Sequence, residues 1–100
     1  MSDQTITVPA LLERLREKRP TILIDIRLAK TGTIPGSVQV PVTDLEDEPH
    51  DWDPEALLVV FCQHGHGASD YAQEVLRDQG YTNVVRLEGG VDAWLAHHAQ

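Results

Sequence analysis

The sequence is poor in cysteine and has no long apolar segment. Cys62 is the only cysteine among 100 residues, so the chain cannot form an internal disulfide and nothing in it points to an oxidising compartment. No stretch approaches the roughly 20 apolar residues that a membrane-spanning helix needs. Residues 1–4 lack the basic and apolar regions of a secretion signal. We therefore expect a cytoplasmic protein that has no membrane partner.

Basic residues are also scarce. The chain has eight Lys and Arg residues and 16 Asp and Glu residues, which gives a formal net charge of −8. A chain with this charge repels polyanions, which argues against nucleic acid and anionic membranes as partners, and we expect neither. The same charge repels a small anionic substrate. A site for such a substrate must therefore be made locally positive by backbone dipoles and a few cationic side chains.

What the sequence does contain is an alternation of strand and helix patterns, typical of one α/β domain over residues 1–100 with a largely parallel sheet. The acidic stretch 43–54 matches no metal-binding loop, so no metal is expected. Strands are predicted within 4–8 and at 21–25, 38–40, 57–61 and 84–87, and helices are predicted to begin at Val8, Ala68 and Val91. The last of these helices should place Val91, Trp94 and Leu95 on one apolar face.

The central segment joins a buried strand to a helix through a glycine-rich loop. The apolar run Leu57–Phe61 is typical of a strand that is covered on both faces. After Cys62 and the loop, apolar residues recur at helical spacing until Gly80, where the helix should stop. The predicted apolar face consists of Ala68, Tyr71, Ala72, Val75 and Leu76.

The position of Cys62 between this strand and this helix suggests a nucleophile. The first N–H groups of a helix have no internal partners and carry the positive end of the helix dipole, which stabilises a thiolate. Gly65 and Gly67 let the loop curl with its amides pointing inward. The alternative interpretation is a small buried hydrophobic side chain, which is the commoner fate of a cysteine.

Asp25 and Arg27 end the second predicted strand. A carboxylate and an arginine at such a position can tie loops together through a charge-assisted hydrogen bond. We interpret both residues as supporting the site rather than as reacting groups.

Several motifs occur in the order found in the rhodanese domain, which the chain resembles from about residue 21 to residue 95. The closest resemblance is to the single-domain thiosulfate sulfurtransferases. The motifs are Leu23–Arg27, Ile34–Ser37, Val59–Cys62 with Gly65, Gly80–Tyr81, Leu87–Gly90 and Ala93–Trp94.

The resemblance implies a central parallel sheet flanked by helices on both faces, and a double-displacement reaction without a cofactor. Cys62 would take a sulfur atom from thiosulfate as a persulfide and pass it to cyanide, a thiol or a partner protein. The substrate-binding loop would consist of Gln63, His64, Gly65, His66, Gly67 and Ala68.

Three departures from the family pattern bear on this function. Ala68 stands where related loops carry an arginine, which argues against phosphatase activity. Thr33 stands where the family often has a histidine, and the connection 28–32 before it is shorter than usual in the family. Lys30, His64 and His66 are the available cations, and we expect His64 or His66 to assist binding of the anionic donor. The alternative function is a protein-binding or regulatory module with little turnover.

Overall fold

The computed structural model describes residues 5–28, 34–47, 50–64 and 67–98, and strands and helices alternate through these ranges. The strands are β1 (Thr5–Ile6), β2 (Thr21–Asp25), β3 (Val38–Gln39), β4 (Leu57–Phe61) and β5 (Val84–Leu87). The helices are α1 (Val8–Arg16), α2 (Val42–Leu45), α3 (Ala68–Asp78) and α4 (Gly90–His98). Each strand overlaps a segment that the sequence predicts to be extended, and α4 begins one residue earlier than predicted.

The strands form one parallel sheet in the order β1-β5-β4-β2-β3. Strand β4 lies in the centre, where Val59 is paired with Leu23 of β2 on one side and with Val85 of β5 on the other. All four strand pairs are parallel. The carboxyl ends of the strands therefore meet at one edge of the sheet, where ligands of open α/β folds bind.

Two hydrophobic clusters cover the two faces of the sheet. Leu58 and Val60 of β4 pack on one face with residues of α2 and α3, whereas Val59 and Phe61 pack on the other face with residues of α1 and α4. These four side chains are fully buried. This arrangement confirms the predicted α/β fold, a central parallel sheet with helices on both faces.

The predicted apolar face of α3 is partly wrong. Tyr71 is 50% exposed and Ala68 is exposed, while Ser69 and Gln73 take the buried positions beside the apolar residues. The Gln73 amide donates a hydrogen bond to the Val84 carbonyl at 2.9 Å, and this bond offsets the cost of burying a polar group. The Tyr71 hydroxyl instead donates to Glu46 at 2.7 Å on the surface. The helix is therefore rotated relative to the hydrophobic pattern.

Leu95 is a second exception, because it is 57% exposed although the pattern placed it on the apolar face of α4. Val91 is buried and Trp94 packs partly buried against the same cluster. The inward face of α4 is therefore confined largely to its first half, which lies at the carboxyl edge of the sheet.

The corrected orientation of α3 predicts different costs for two truncations of that helix. Leu76→Ala should lower the free energy of unfolding by about 2–5 kcal/mol, because it opens a cavity in the core. Tyr71→Ala removes an exposed ring with one surface hydrogen bond, so it should cost about 1 kcal/mol or less. Urea denaturation of both variants measures these values. A larger cost for Tyr71→Ala would contradict the orientation.

Candidate active site

Cys62 directly follows the last residue of β4 and is 8% exposed. It belongs to the same hydrophobic cluster as Ala72 of α3, so its side chain lies on the α3 side of the sheet. Because β4 is the central strand, Cys62 stands in the middle of the carboxyl edge. The nucleophile predicted from the sequence thus lies at the edge where α/β folds bind ligands.

The loop after Cys62 ends in the N-terminus of α3. Ala68 is the first helical residue, and Gly67 before it has a φ of 76°. A Cβ atom at Gly67 would meet nothing within 4 Å, so the backbone conformation, rather than lack of space, favours glycine there. Gly67 is the N-cap residue of α3, and no side-chain hydrogen bond caps the helix there. The first N–H groups of α3 therefore have no side-chain acceptor at the N-cap position.

The N-terminus of a second helix also contacts the loop. The Val91 N–H of α4 donates to the Cys62 carbonyl at 2.9 Å, and the Asp92 N–H donates to the Gln63 carbonyl at 3.0 Å. These bonds satisfy two of the N–H groups that a helix start leaves without partners. Cys62 is therefore fixed by α4 through its backbone, while the loop that it opens leads into the start of α3.

Asp25 and Arg27 connect β2 to this loop. The Arg27 guanidinium donates to both Asp25 carboxylate oxygens at 3.0–3.3 Å and to the Gln63 side-chain oxygen at 2.9 Å. The Arg27 backbone N–H also donates to Asp25 at 3.0 Å. Asp25 is 1% exposed and the Arg27 side chain 10% exposed, so the pair is largely shielded from water.

The same network continues to α4 and returns to the loop. The Gln63 amide donates to Asp92 Oδ1 at 2.7 Å, and His64 Nδ1 donates to Asp92 Oδ2 at 2.5 Å. The hydrogen bond from Gln63, followed by that from His64, lowers the pKa of the Asp92 carboxyl. The two side chains after Cys62 are therefore tied to a carboxylate that is ionised at neutral pH.

Ser69 adds a buried hydroxyl in the first turn of α3. The residue is fully buried, and its Oγ has no hydrogen-bond partner in the part of the chain that the structure describes. It lies one turn before Ala72, which shares a cluster with Cys62. The turn that follows the loop thus contains a hydroxyl donor for which the described residues provide no acceptor.

Comparison with known proteins assigns this architecture to a family. The family model described as a rhodanese-like domain matches residues 7–97. The chain belongs to the rhodanese family. The matched region includes Cys62, the loop after it and the start of α4.

Relatives of this rhodanese chain cover most of its length. A sulfurtransferase of Allochromatium vinosum is 33% identical over 91 residues, which are 88% of this chain and 84% of that protein. The thiosulfate sulfurtransferase GlpE of Pseudomonas savastanoi pv. phaseolicola is 34% identical over 91 residues, with the same two coverages. The structure of the human single-domain sulfurtransferase TSTD1 superposes with a TM-score of 0.82 and 30% identity, covering 95% of this chain and 97% of that one.

The rhodanese fold gathers the predicted site residues at one edge, as far as the structure describes them. Cys62, Gln63 and His64 open the loop, and Gly67 and Ala68 close it. Asp25 and Arg27 reach it through Gln63. Gly65, His66 and Lys30 lie outside the described residues, as does Thr33.

Sequence reasoning missed two residues of this site, Asp92 and Ser69. Asp92 is 29 positions from Gln63 in the chain, and only the adjacency of β5 and β4 brings the start of α4 to the loop. The available signal was that helices in parallel α/β folds start at the edge where strands end. The burial of Ser69 was missed because the hydrophobic pattern places Ala68 and Tyr71 on the buried face of α3.

A separate open cleft lies between α1 and α4. It is lined by residues that include Thr7, Val8, Ala93 and His97, and neither Cys62 nor a described residue of its loop is among the lining residues. The cleft is therefore distinct from the site around Cys62.

No helix in the described ranges is both long enough and apolar enough to cross a bilayer.

The shielding of the Asp25–Arg27 pair predicts a large cost for removing one partner. Arg27→Met leaves a buried carboxylate without its counter-charge, so it should lower the free energy of unfolding by about 3–5 kcal/mol. Arg16→Met is the matched control, because Arg16 pairs with Glu13 on the surface and should cost less than about 1 kcal/mol. Equal costs in urea denaturation would show that the Asp25–Arg27 pair is not buried as described.

Proposed function

We propose that the chain is a sulfurtransferase in which Cys62 carries the transferred sulfur as a persulfide. The observation that carries this proposal is the position of Cys62 at the carboxyl end of β4, held by the start of α4 and followed by a loop that leads into the start of α3. Relatives named sulfurtransferase and thiosulfate sulfurtransferase support the same reaction class.

In the first half-reaction, the Cys62 thiolate attacks the outer sulfur of thiosulfate. A bond forms between the two sulfur atoms, the S–S bond of thiosulfate breaks, and sulfite leaves with the electron pair of that bond. Cys62 then carries an ionised persulfide. The sum of charges is unchanged, and no oxidant, reductant or further cofactor takes part.

In the second half-reaction, an acceptor attacks the outer sulfur of the persulfide. Cyanide or the thiolate of an acceptor forms the new bond, and the Cys62 thiolate leaves with the electron pair. The product is thiocyanate or an acceptor persulfide, and the resting protein is regenerated. The two half-reactions share one ionised sulfur site and need no proton relay from a neighbouring side chain.

The site supports this chemistry mainly through the backbone. Both reacting forms of Cys62 are anionic, and a helix start favours negative charge through its N–H groups and dipole. The buried Ser69 hydroxyl offers an additional donor in the first turn of α3. Arg27 is bound to Asp25 and Gln63, so its role is to hold the loop.

The proposal predicts that thiosulfate loads the purified protein with one sulfur atom. Intact-mass spectrometry after incubation with thiosulfate should show this addition, and cyanide should remove it as thiocyanate. Because Cys62 is the only cysteine, any persulfide that forms is on Cys62. Cys62→Ser, which keeps the size of the side chain, should show neither the addition nor thiocyanate.

Failure of the wild-type protein to load from both thiosulfate and a low-molecular-weight persulfide would refute sulfur transfer through Cys62. Loading from the persulfide but not from thiosulfate would support the proposed sulfurtransferase activity and reject thiosulfate as the donor.

A further inference from the structure

Asp92 contacts both the backbone and the side chains of the segment that follows Cys62. Its N–H donates to the Gln63 carbonyl at 3.0 Å, and its two carboxylate oxygens accept from Gln63 at 2.7 Å and from His64 at 2.5 Å. Each oxygen therefore has its own donor. The carboxylate is held in one orientation, and it holds the first two loop side chains in turn.

This carboxylate places a negative charge at the rim of the site. The Asp92 side chain is 50% exposed, so solvent and approaching molecules reach it. The two hydrogen bonds that it accepts lower its pKa, which keeps it ionised in neutral and alkaline solution. The rim beside Gln63 and His64 therefore carries the negative charge of Asp92.

The cation within the same network does not offset this charge. The Arg27 guanidinium faces both oxygens of the Asp25 carboxylate, which balances it. The guanidinium also donates to the side-chain oxygen of Gln63, which is neutral. Asp92 thus places a half-exposed negative charge beside Gln63 and His64.

We propose that Asp92 is a positioning and specificity-determining residue for sulfur transfer, which fixes Gln63 and His64 beside Cys62 and selects against acceptors with additional negative charge. The favoured acceptors are thiols with neutral or cationic substituents. The inference rests on the proposed function, because it assumes that the sulfur is carried on Cys62.

The size of the selection follows from Coulomb's law. In a largely hydrated site, each unit charge on the acceptor at about 8 Å from the Asp92 carboxylate changes the reaction rate by about two- to six-fold. A pair of acceptors that differ by two charges should then differ in their response to loss of Asp92 by at least about four-fold.

The test uses three small thiols whose substituents are anionic, neutral and cationic: 3-mercaptopropionate, 2-mercaptoethanol and cysteamine. Wild-type and Asp92→Asn proteins are loaded with thiosulfate, desalted and discharged with each thiol at pH 8.5, above the usual titration range of imidazoles. The thiolate attacks the outer persulfide sulfur, and the Cys62 thiolate leaves. Intact-mass spectrometry gives the discharge rate constant.

The informative quantity is the ratio of the Asp92→Asn rate constant to the wild-type rate constant for each thiol. The intrinsic reactivity of each thiol cancels in this ratio, and so does any uniform loss from a disturbed loop. We expect the ratio to be largest for 3-mercaptopropionate and smallest for cysteamine, with at least about four-fold between them. Asp92→Glu retains the charge and should keep the wild-type order of rates.

Asp53→Asn is the matched control, because it removes one exposed carboxylate from the turn before β4, at the opposite edge of the sheet. Its ratio should be the same for the three thiols. If Asp92→Asn is folded and its ratio to the wild-type rate constant is equal for all three thiols, the inference is overturned. If Asp92→Asn does not fold, Asp92→Ser is measured in the same way. Failure of the wild-type protein to load at all would instead reject the proposed function.

Discussion

The parallel pairing of β4 with a neighbour on each side is the constraint on which the rest of the structure depends. It places Cys62 at the centre of the carboxyl edge, and it brings the start of α4, which follows the adjacent strand β5, against the two residues after β4. The pairing is stabilised because β4 is covered on both faces, with Val60 in one cluster and Phe61 in the other. The site is therefore a direct consequence of the sheet.

The proposed reaction requires an acidic protein to hold anionic sulfur. With a formal net charge of −8, the chain as a whole repels anions, and Arg27 is engaged by Asp25. Backbone N–H groups at a helix start stabilise negative charge locally without adding a mobile counter-ion. A site of this kind would suit the thiolate and the persulfide of the proposed reaction, which stay attached to Cys62. The proposed role of Asp92 adds a charge that disfavours anionic acceptors.

The strands and the location of Cys62 could be predicted because short apolar runs bounded by turn residues have few alternative structures. The buried face of α3 could not, since Gln73 is buried by virtue of a hydrogen bond to the Val84 carbonyl, and hydrophobic spacing carries no information on such a partner. The proposed role of Asp92 likewise depends on the order of strands in the sheet. Its contacts with Gln63 and His64 join segments that the sequence separates, so they required the tertiary structure.

The most direct test of the central claim is the pH dependence of Cys62 alkylation. Iodoacetamide reacts with the thiolate, so the midpoint of the rate profile reports the pKa of the single thiol in the native protein. Stabilisation by the helix start after the loop predicts a midpoint clearly below the ordinary value of about 8.5. A midpoint at or above about 8.5 in folded protein would show that apolar burial dominates, and it would contradict a thiolate held ready for sulfur transfer.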